Sequence, residues 1–176
     1  YALDWGSYVQ TGRSERAPSL FELFGDGGGI AASEKLLNET LYHIEWGSYL
    51  DPWSWCDLRL AFFQDRGTNK IVFVPVSARN SMKALNLRST RTDGMEFTLA
   101  ARWRTFESSH SWTRLEAYDD TGERRRLPGV ARDTYVGRVA FSWRQLLSGV
   151  VARYRSDIYR DVNNKTSLPG SWIFDS

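Results

Sequence analysis

Two histidines, one cysteine, a glycine-rich run and a triple arginine are the places where this 176-residue sequence could carry chemistry. His43 and His110 are far apart and lack a cysteine or carboxylate partner at metal-ligand spacing, so the reading is no metal site. Cys56 with a distant histidine is the minimum for a thiol nucleophile. It stands in an apolar stripe where a thiolate is disfavoured, and as the sole cysteine it forms no intrachain disulfide. Gly25-Asp26-Gly27-Gly28-Gly29 has the glycines of a phosphate cradle but not the Gly-Lys-Ser/Thr ending, which leaves an exposed loop. Arg124-Arg125-Arg126 could attract an anion, although a short basic run is also what a solvated loop tip looks like. With no Ser/His/Asp set and no paired carboxylates, no enzyme activity and no cofactor are expected. A net charge of +2 is too small to argue for a nucleic-acid partner.

The elements that must position these residues are strands. Apolar and polar residues alternate at period two through much of the chain, and no long helical periodicity competes. Aromatics make up 14% of the chain, yet no window approaches the roughly 18 apolar residues of a membrane-spanning helix. A transmembrane β-barrel reconciles the two facts, since its strands face lipid on one side only and its aromatics gather at the interfaces. Strands are expected at 1–13, 39–50, 56–74 with an interruption over 64–70, 85–103, 107–118, 132–144, 150–158 and from Trp172 onward. Short turns at 51–54, 104–106 and 145–148 alternate with longer connections at 14–37, 75–83, 119–130 and 161–170. Outer-membrane barrels combine short periplasmic turns and long exterior loops in this way. Ser19 is the expected N-cap of a short helix to Phe24, with Glu22 at the capping-box position. Arg59, Arg102, Arg138, Arg153 and Arg155 all fall opposite the apolar set, as a polar lumen would require; Trp112 is not assigned to either face.

Arg16-Ala17-Pro18-Ser19-Leu20-Phe21-Glu22-Leu23-Phe24-Gly25 is followed by Asn38-Glu39-Thr40 and Glu45-Trp46-Gly47. Asn86 then precedes Gly94-Met95-Glu96, and Leu127-Pro128 precedes a later strand. Together these stretches resemble the C-terminal half of the barrel of TonB-dependent outer-membrane receptors. One departure is Asn38, where family members commonly have proline before the glutamate.

The resemblance implies an all-β, antiparallel up-and-down transmembrane barrel segment. Residues 1–176 would supply about seven to eight strands of a barrel of about 22, the plug domain and remaining strands lying outside this piece of a longer protein. It implies a receptor of the bacterial outer membrane that takes up a scarce nutrient such as a ferric siderophore, haem or cobalamin. Its partners would be outer-membrane lipid and lipopolysaccharide, and the TonB-ExbB-ExbD complex through the plug. Arg16, Pro18, Glu22, Glu39, Glu45, Gly47, Gly94 and Glu96 would have architectural roles. Phe24, Asp26, Arg124, Arg125 and Arg126 are the expected ligand-loop residues. The competing reading is a non-transporting or soluble antiparallel β protein that recognises a partner through its loops; a soluble sandwich would bury its apolar stripe against a second sheet.

Overall fold

The computed structural model describes residues 3–25, 29–76 and 81–176, with Arg88 described in its backbone alone. Expectations that fall on Tyr1, Ala2, Asp26, Gly27, Gly28 and 77–80 lie outside the described residues. The chain forms β1 (Asp4–Arg16), α1 (Leu20–Phe24), β2 (Ile30–Ala31), β3 (Glu39–Trp53), β4 (Cys56–Val76), β5 (Ser81–Trp103), β6 (Phe106–Asp119), β7 (Arg125–Arg126), β8 (Asp133–Trp143), β9 (Leu146–Arg155), β10 (Ile158–Tyr159), β11 (Ser167–Leu168) and β12 (Ser171–Asp175). One sheet runs in the order β1-β3-β4-β5-β6-β8-β9-β12, each long strand antiparallel to the next along the chain.

Because directly paired residues share a face, the register sorts every side chain. Tyr8 pairs with Gly47, Glu45 with Phe63, Arg59 with Thr98, Glu96 with Thr113, Ser109 with Arg138 and Val136 with Arg153, so all of these belong to one polar face. Arg102 and Arg155 join it through Glu107 and Thr134, which places all five arginines opposite the apolar set as expected. The other face carries Trp5, Val9, Trp46, Leu60, Phe62, Leu99, Phe97, Val139 and Phe141. Trp112 pairs with Phe97 and Tyr135 and is thereby assigned to this apolar face.

Among the described residues no second sheet covers the apolar face. Among the described residues the buried apolar side chains are few and mostly small, while Trp5 and Val9 are each 66% exposed. A soluble sandwich would have its core on that face, and this single-layer sheet does not build one.

Several boundaries differ from the sequence expectation. The turn expected at 51–54 is the pair Ser54-Trp55, with Pro52 inside β3 where the β3–β4 register slips between Leu50 and Trp53. A proline is tolerated there because the ladder is already broken. The turns expected at 104–106 and 145–148 are Arg104-Thr105 and Arg144-Gln145. The interruption expected over 64–70 does not exist, since β4 pairs with β5 from Cys56 to Val76 in one register. Alternation fades there because both faces become polar: Gln64, Arg66 and Thr68 occupy what was the apolar side. Strand pairing likewise takes up most of the loop expected at 75–83. The loops expected at 119–130 and 161–170 contain β7, paired with β6, and β11, paired with β10.

Candidate functional site

All three two-residue turns lie at one end of the sheet, which leaves the longer connections at the other. There the first connection is built on the sequence from Arg16 to Gly25. Pro18 precedes the N-cap, where its missing N–H costs nothing. Ser19 caps α1 by accepting from the Glu22 N–H (3.2 Å), and Glu22 Oε2 accepts from the Ser19 N–H (2.7 Å), completing the expected capping box. Gly25 ends the helix at φ 73°, and a Cβ there would stand 2.2 Å from the Ile30 carbonyl oxygen, so glycine is required.

Arg16 ties this helix to the barrel wall. Its Nη1 and Nη2 donate to the two Glu22 oxygens at 2.9 and 3.0 Å, and its Nε donates to Glu39 Oε2 at 2.8 Å. Glu39 Oε1 accepts from the Ile71 N–H on β4. Asn86 on β5 completes the clamp, since its Oδ1 accepts from the Leu37 N–H (2.8 Å) and its Nδ2 donates to the carbonyls of Leu37 and Asn69 (3.1 and 2.6 Å). Glu22 is 7% exposed. Hydrogen bonds from Arg16, then from Ser19, hold its carboxyl down at about 2. Burial opposes ionisation of Glu39, but hydrogen bonds from Arg16 and the Ile71 N–H outweigh it and keep its pKa below the usual value. Arg16 in turn is held above its usual pKa by bonds to Glu39 and Glu22. Phe21 packs against Phe73 with ring centroids 6.4 Å apart, which seats α1 over the polar side of the sheet. Phe24 is exposed.

Glu45, Gly47, Gly94 and Glu96, from the later stretches singled out in the sequence, share that polar face, nearer the middle of the strands. Tyr8 donates to Glu45 Oε1 at 2.8 Å, and its ring lies across Gly47, where a Cβ would come within 2.3 Å. Phe63 lies across Gly94 in the same way, at 2.2 Å, and each ring belongs to the glycine's direct cross-strand partner. An aromatic ring laid over a strand glycine offsets the stability that the glycine lacks. Glu96 is exposed and pairs across the ladder with Ala61 and Thr113. Sequence reasoning missed Tyr8, Phe63, and the His43–Asp65 contact at 2.5 Å. Their signal is a cross-strand pairing, visible only once register is known.

The triple arginine is engaged within the chain. Arg124 lies 4.3 Å over the Tyr118 ring, and Arg126 lies 5.3 Å over Tyr159 and 3.4 Å from Asp157. Arg125 Nη1 donates to Asn163 Oδ1 at 2.5 Å, while Asn164 pairs with the Arg126 backbone in both directions at 2.8 Å. These bonds lock the 120–132 loop onto the 156–170 loop. Asp161 organises the latter by accepting from Thr166 Oγ1 and from the N–H groups of Thr166, Lys165 and Asn163, which hold its carboxyl at about 2. Beside these loops a cavity of about 550 Å³ is lined by Ile71, Phe73, Met82, Pro128, Tyr159 and Arg160, among others. Among the described residues no group of three or more His, Cys, Asp or Glu is arranged to hold a metal ion. The arrangement can bind at the loop end and carry a polar wall beneath it.

Comparison with solved structures finds the same architecture. The chain superposes on the copper transporter OprC with a TM-score of 0.75 at 17% identity, covering 97% of this chain and 28% of that one. The siderophore receptor PiuA from Acinetobacter baumannii gives 0.72 at 18% identity, over 97% of this chain and 26% of that one. The ferric yersiniabactin uptake receptor FyuA from Yersinia pestis gives 0.72 at 14% identity, over 98% and 27%. The sequence therefore spans little more than a quarter of each of these proteins. No match was found among curated proteins. The family model for the TonB dependent receptor-like β-barrel matches residues 2–176: the chain belongs to the TonB-dependent receptor β-barrel family.

Proposed function

We propose that this chain is part of the barrel wall of an outer-membrane receptor that takes up a scarce nutrient, a ferric siderophore, haem, cobalamin or another metal chelate, with energy delivered by the TonB-ExbB-ExbD complex through a plug domain. The observation that carries the reading is the uncovered apolar face. On β5 it runs from Trp103 back to Met95, close to the roughly 9–11 residues a tilted strand needs to cross hydrocarbon. On the same side a charged row follows, with Asp93 and Arg91 3.0 Å apart on β5 and Arg114 and Asp133 3.9 Å apart across β6 and β8. A lipid-facing surface should end in this way, at headgroup level, where lipopolysaccharide phosphates would meet Arg91 and Arg114. The tryptophans at the short turns, Trp53, Trp55, Trp103 and Trp143, would form the opposite girdle.

Ligand binding is assigned to the loop end: to Phe24, Asp26, Arg124, Arg125 and Arg126 of the loops, and separately to the cavity of about 550 Å³ that Pro128, Tyr159 and Arg160 help to line. Its apolar lining with Lys70 and Arg160 suits an anionic, partly apolar chelate. The test is fractionation of cells expressing the full-length protein, followed by electrophoresis of the outer-membrane fraction with and without heating. Heat-modifiable migration and uptake of a metal chelate that stops when TonB is removed are the expected results. Recovery of the protein in the soluble fraction overturns the reading.

A further inference from the structure

The polar face holds a nitrogen and an oxygen donor that the receptor function does not use. His43 and Glu45 stand two residues apart on β3 and share that face. His43 Nδ1 lies 2.5 Å from Oδ1 of Asp65, its direct cross-strand partner. An ionised carboxylate only accepts, so the ring hydrogen is on Nδ1 and the neutral ring keeps a lone pair on Nε2. That nitrogen faces Glu45 Oε2 at 3.7 Å, beyond hydrogen-bonding range. Glu45 is held in turn by the 2.8 Å bond from Tyr8 to its other oxygen. Each donor atom is thus aimed by a partner behind it, the arrangement in which histidines and carboxylates ligate metals. Alternation puts His43 and Glu45 on one face, but the contact that aims the ring, with Asp65 22 positions on, is legible only in the register.

The gap between Nε2 and Oε2 has the size of a metal ion rather than of a proton. Two atoms bound at about 2.0–2.1 Å to a tetrahedral Zn2+ stand about 3.4 Å apart, whereas a shared proton draws such a pair to about 2.7–2.9 Å. Charge also favours a cation here. The four register rows from Tyr8-Gly47-Ala61-Glu96 to Ser14-Leu41-Gly67-Thr90 carry Glu45, Asp65 and Glu96 and, among the described residues, no lysine or arginine. The arginines one row beyond on either side are engaged, Arg59 by Asp57 and Arg16 by Glu22 and Glu39. Room is left as well: Gly12 lies across from His43, and a Cβ there would meet nothing within 4 Å.

We propose that His43 Nε2 and Glu45 Oε2 are the protein ligands of an exchangeable divalent metal site on the polar face, for the copper and zinc class of ion that imidazole and carboxylate suit. Water fills the remaining positions. The site stands apart from the loop end and does not rest on the uptake reading. The test is titration of the full-length receptor, stripped with chelator in mild detergent, with Cu2+, followed by calorimetry and electron paramagnetic resonance. The wild type is expected to bind one Cu2+ more than His43→Phe, which keeps a ring at that position, and the difference spectrum should show nitrogen coupling. Asp65→Asn should weaken this site about 10- to 100-fold and Glu45→Gln at least as much, while His110→Leu leaves it unchanged. Equal Cu2+ counts in the wild type and His43→Phe overturn the proposal. So does an affinity unchanged in both Asp65→Asn and Glu45→Gln, since the metal would then sit on a lone imidazole. Circular dichroism of each variant keeps loss of the fold apart from loss of the site.

Discussion

The two ends of the sheet are ordered by different physics. At the turn end the aromatic contacts that close the turns are local. Trp53 and Trp55 stack at 5.0 Å across one turn, and Arg104 and Arg144 each lie 5.0 Å over the preceding tryptophan, at φ 54° and 56°. At the loop end order comes from partners distant in sequence, such as Arg16 with Glu39, Asn86 with Leu37, and Arg125 with Asn163. A two-residue turn can be closed by what lies beside it, whereas the longer connections are held by ties to distant residues, and these ties run through charged and amide side chains.

The sharpest way to break this comparison is to remove the hub of the loop end. Arg16→Ala leaves the buried Glu22 carboxylate without its guanidinium, a change that costs about 3 kcal/mol in comparable settings and somewhat less here because Arg16 is half exposed. The barrel should remain heat-modifiable, while proteolysis of the 17–38 segment accelerates by about 30-fold or more. An unchanged cleavage rate would mean that α1 is held by Phe21 packing alone.

The same tie sets a pH window. The Glu22 pKa falls from 4.5 to about 2 on folding, so its stabilisation is complete above 4.5 and disappears as pH drops toward 2. The Asp161 pKa falls from 3.8 to about 2, which gives the 156–170 loop a slightly lower window. Protection against amide exchange in the two loops, taken relative to the intrinsic rate at each pH, should stay flat from pH 7 to 5 and fall below, first in the 17–38 segment. Turn-end amides should not follow. Arg16→Ala should flatten the first response and leave the second.

What the sequence disclosed follows the same division. Period-two alternation revealed the strands and their faces wherever one side meets an apolar environment, down to the sidedness of Arg59 and Arg138. It failed over Gln64 to Lys70, because both faces of β4 are polar there and pairing with β3 and β5 keeps the strand going. The capping box at Ser19 and Glu22 was readable because its residues are local. The bonds from Arg16 to Glu39 and from Asn86 to Leu37 were not, since no spacing rule connects residues 23 or 49 positions apart. Turn positions slipped because Trp-Arg at two of these turns, and Trp-Ser-Trp at the third, stands where glycine or asparagine would be expected.

Midway between the ends, Gly94→Ala measures how firmly the polar face is tiled. The added methyl would turn the Phe63 ring into the lumen, at a cost of about 1–2 kcal/mol from lost packing. Gly47→Ala should cost about the same and also break the bond from Tyr8 to Glu45. Urea unfolding of the refolded full-length barrel in lipid vesicles reads both. A methyl tolerated without loss would show that these rings move freely over the glycines.

The smallest effect belongs to the turn end. Arg104→Gly relieves a positive φ that costs a non-glycine residue about 1–2 kcal/mol, but gives up a cation–π contact worth about 0.5–1 kcal/mol. The difference leaves the variant about 0 to 1.5 kcal/mol more stable in the same unfolding assay. Arg104→Val keeps the strain, loses the contact, and should lose about 1 kcal/mol. A large loss in Arg104→Gly would mean that the guanidinium is also bound at the membrane surface, where the tryptophan beneath it would hold it in place.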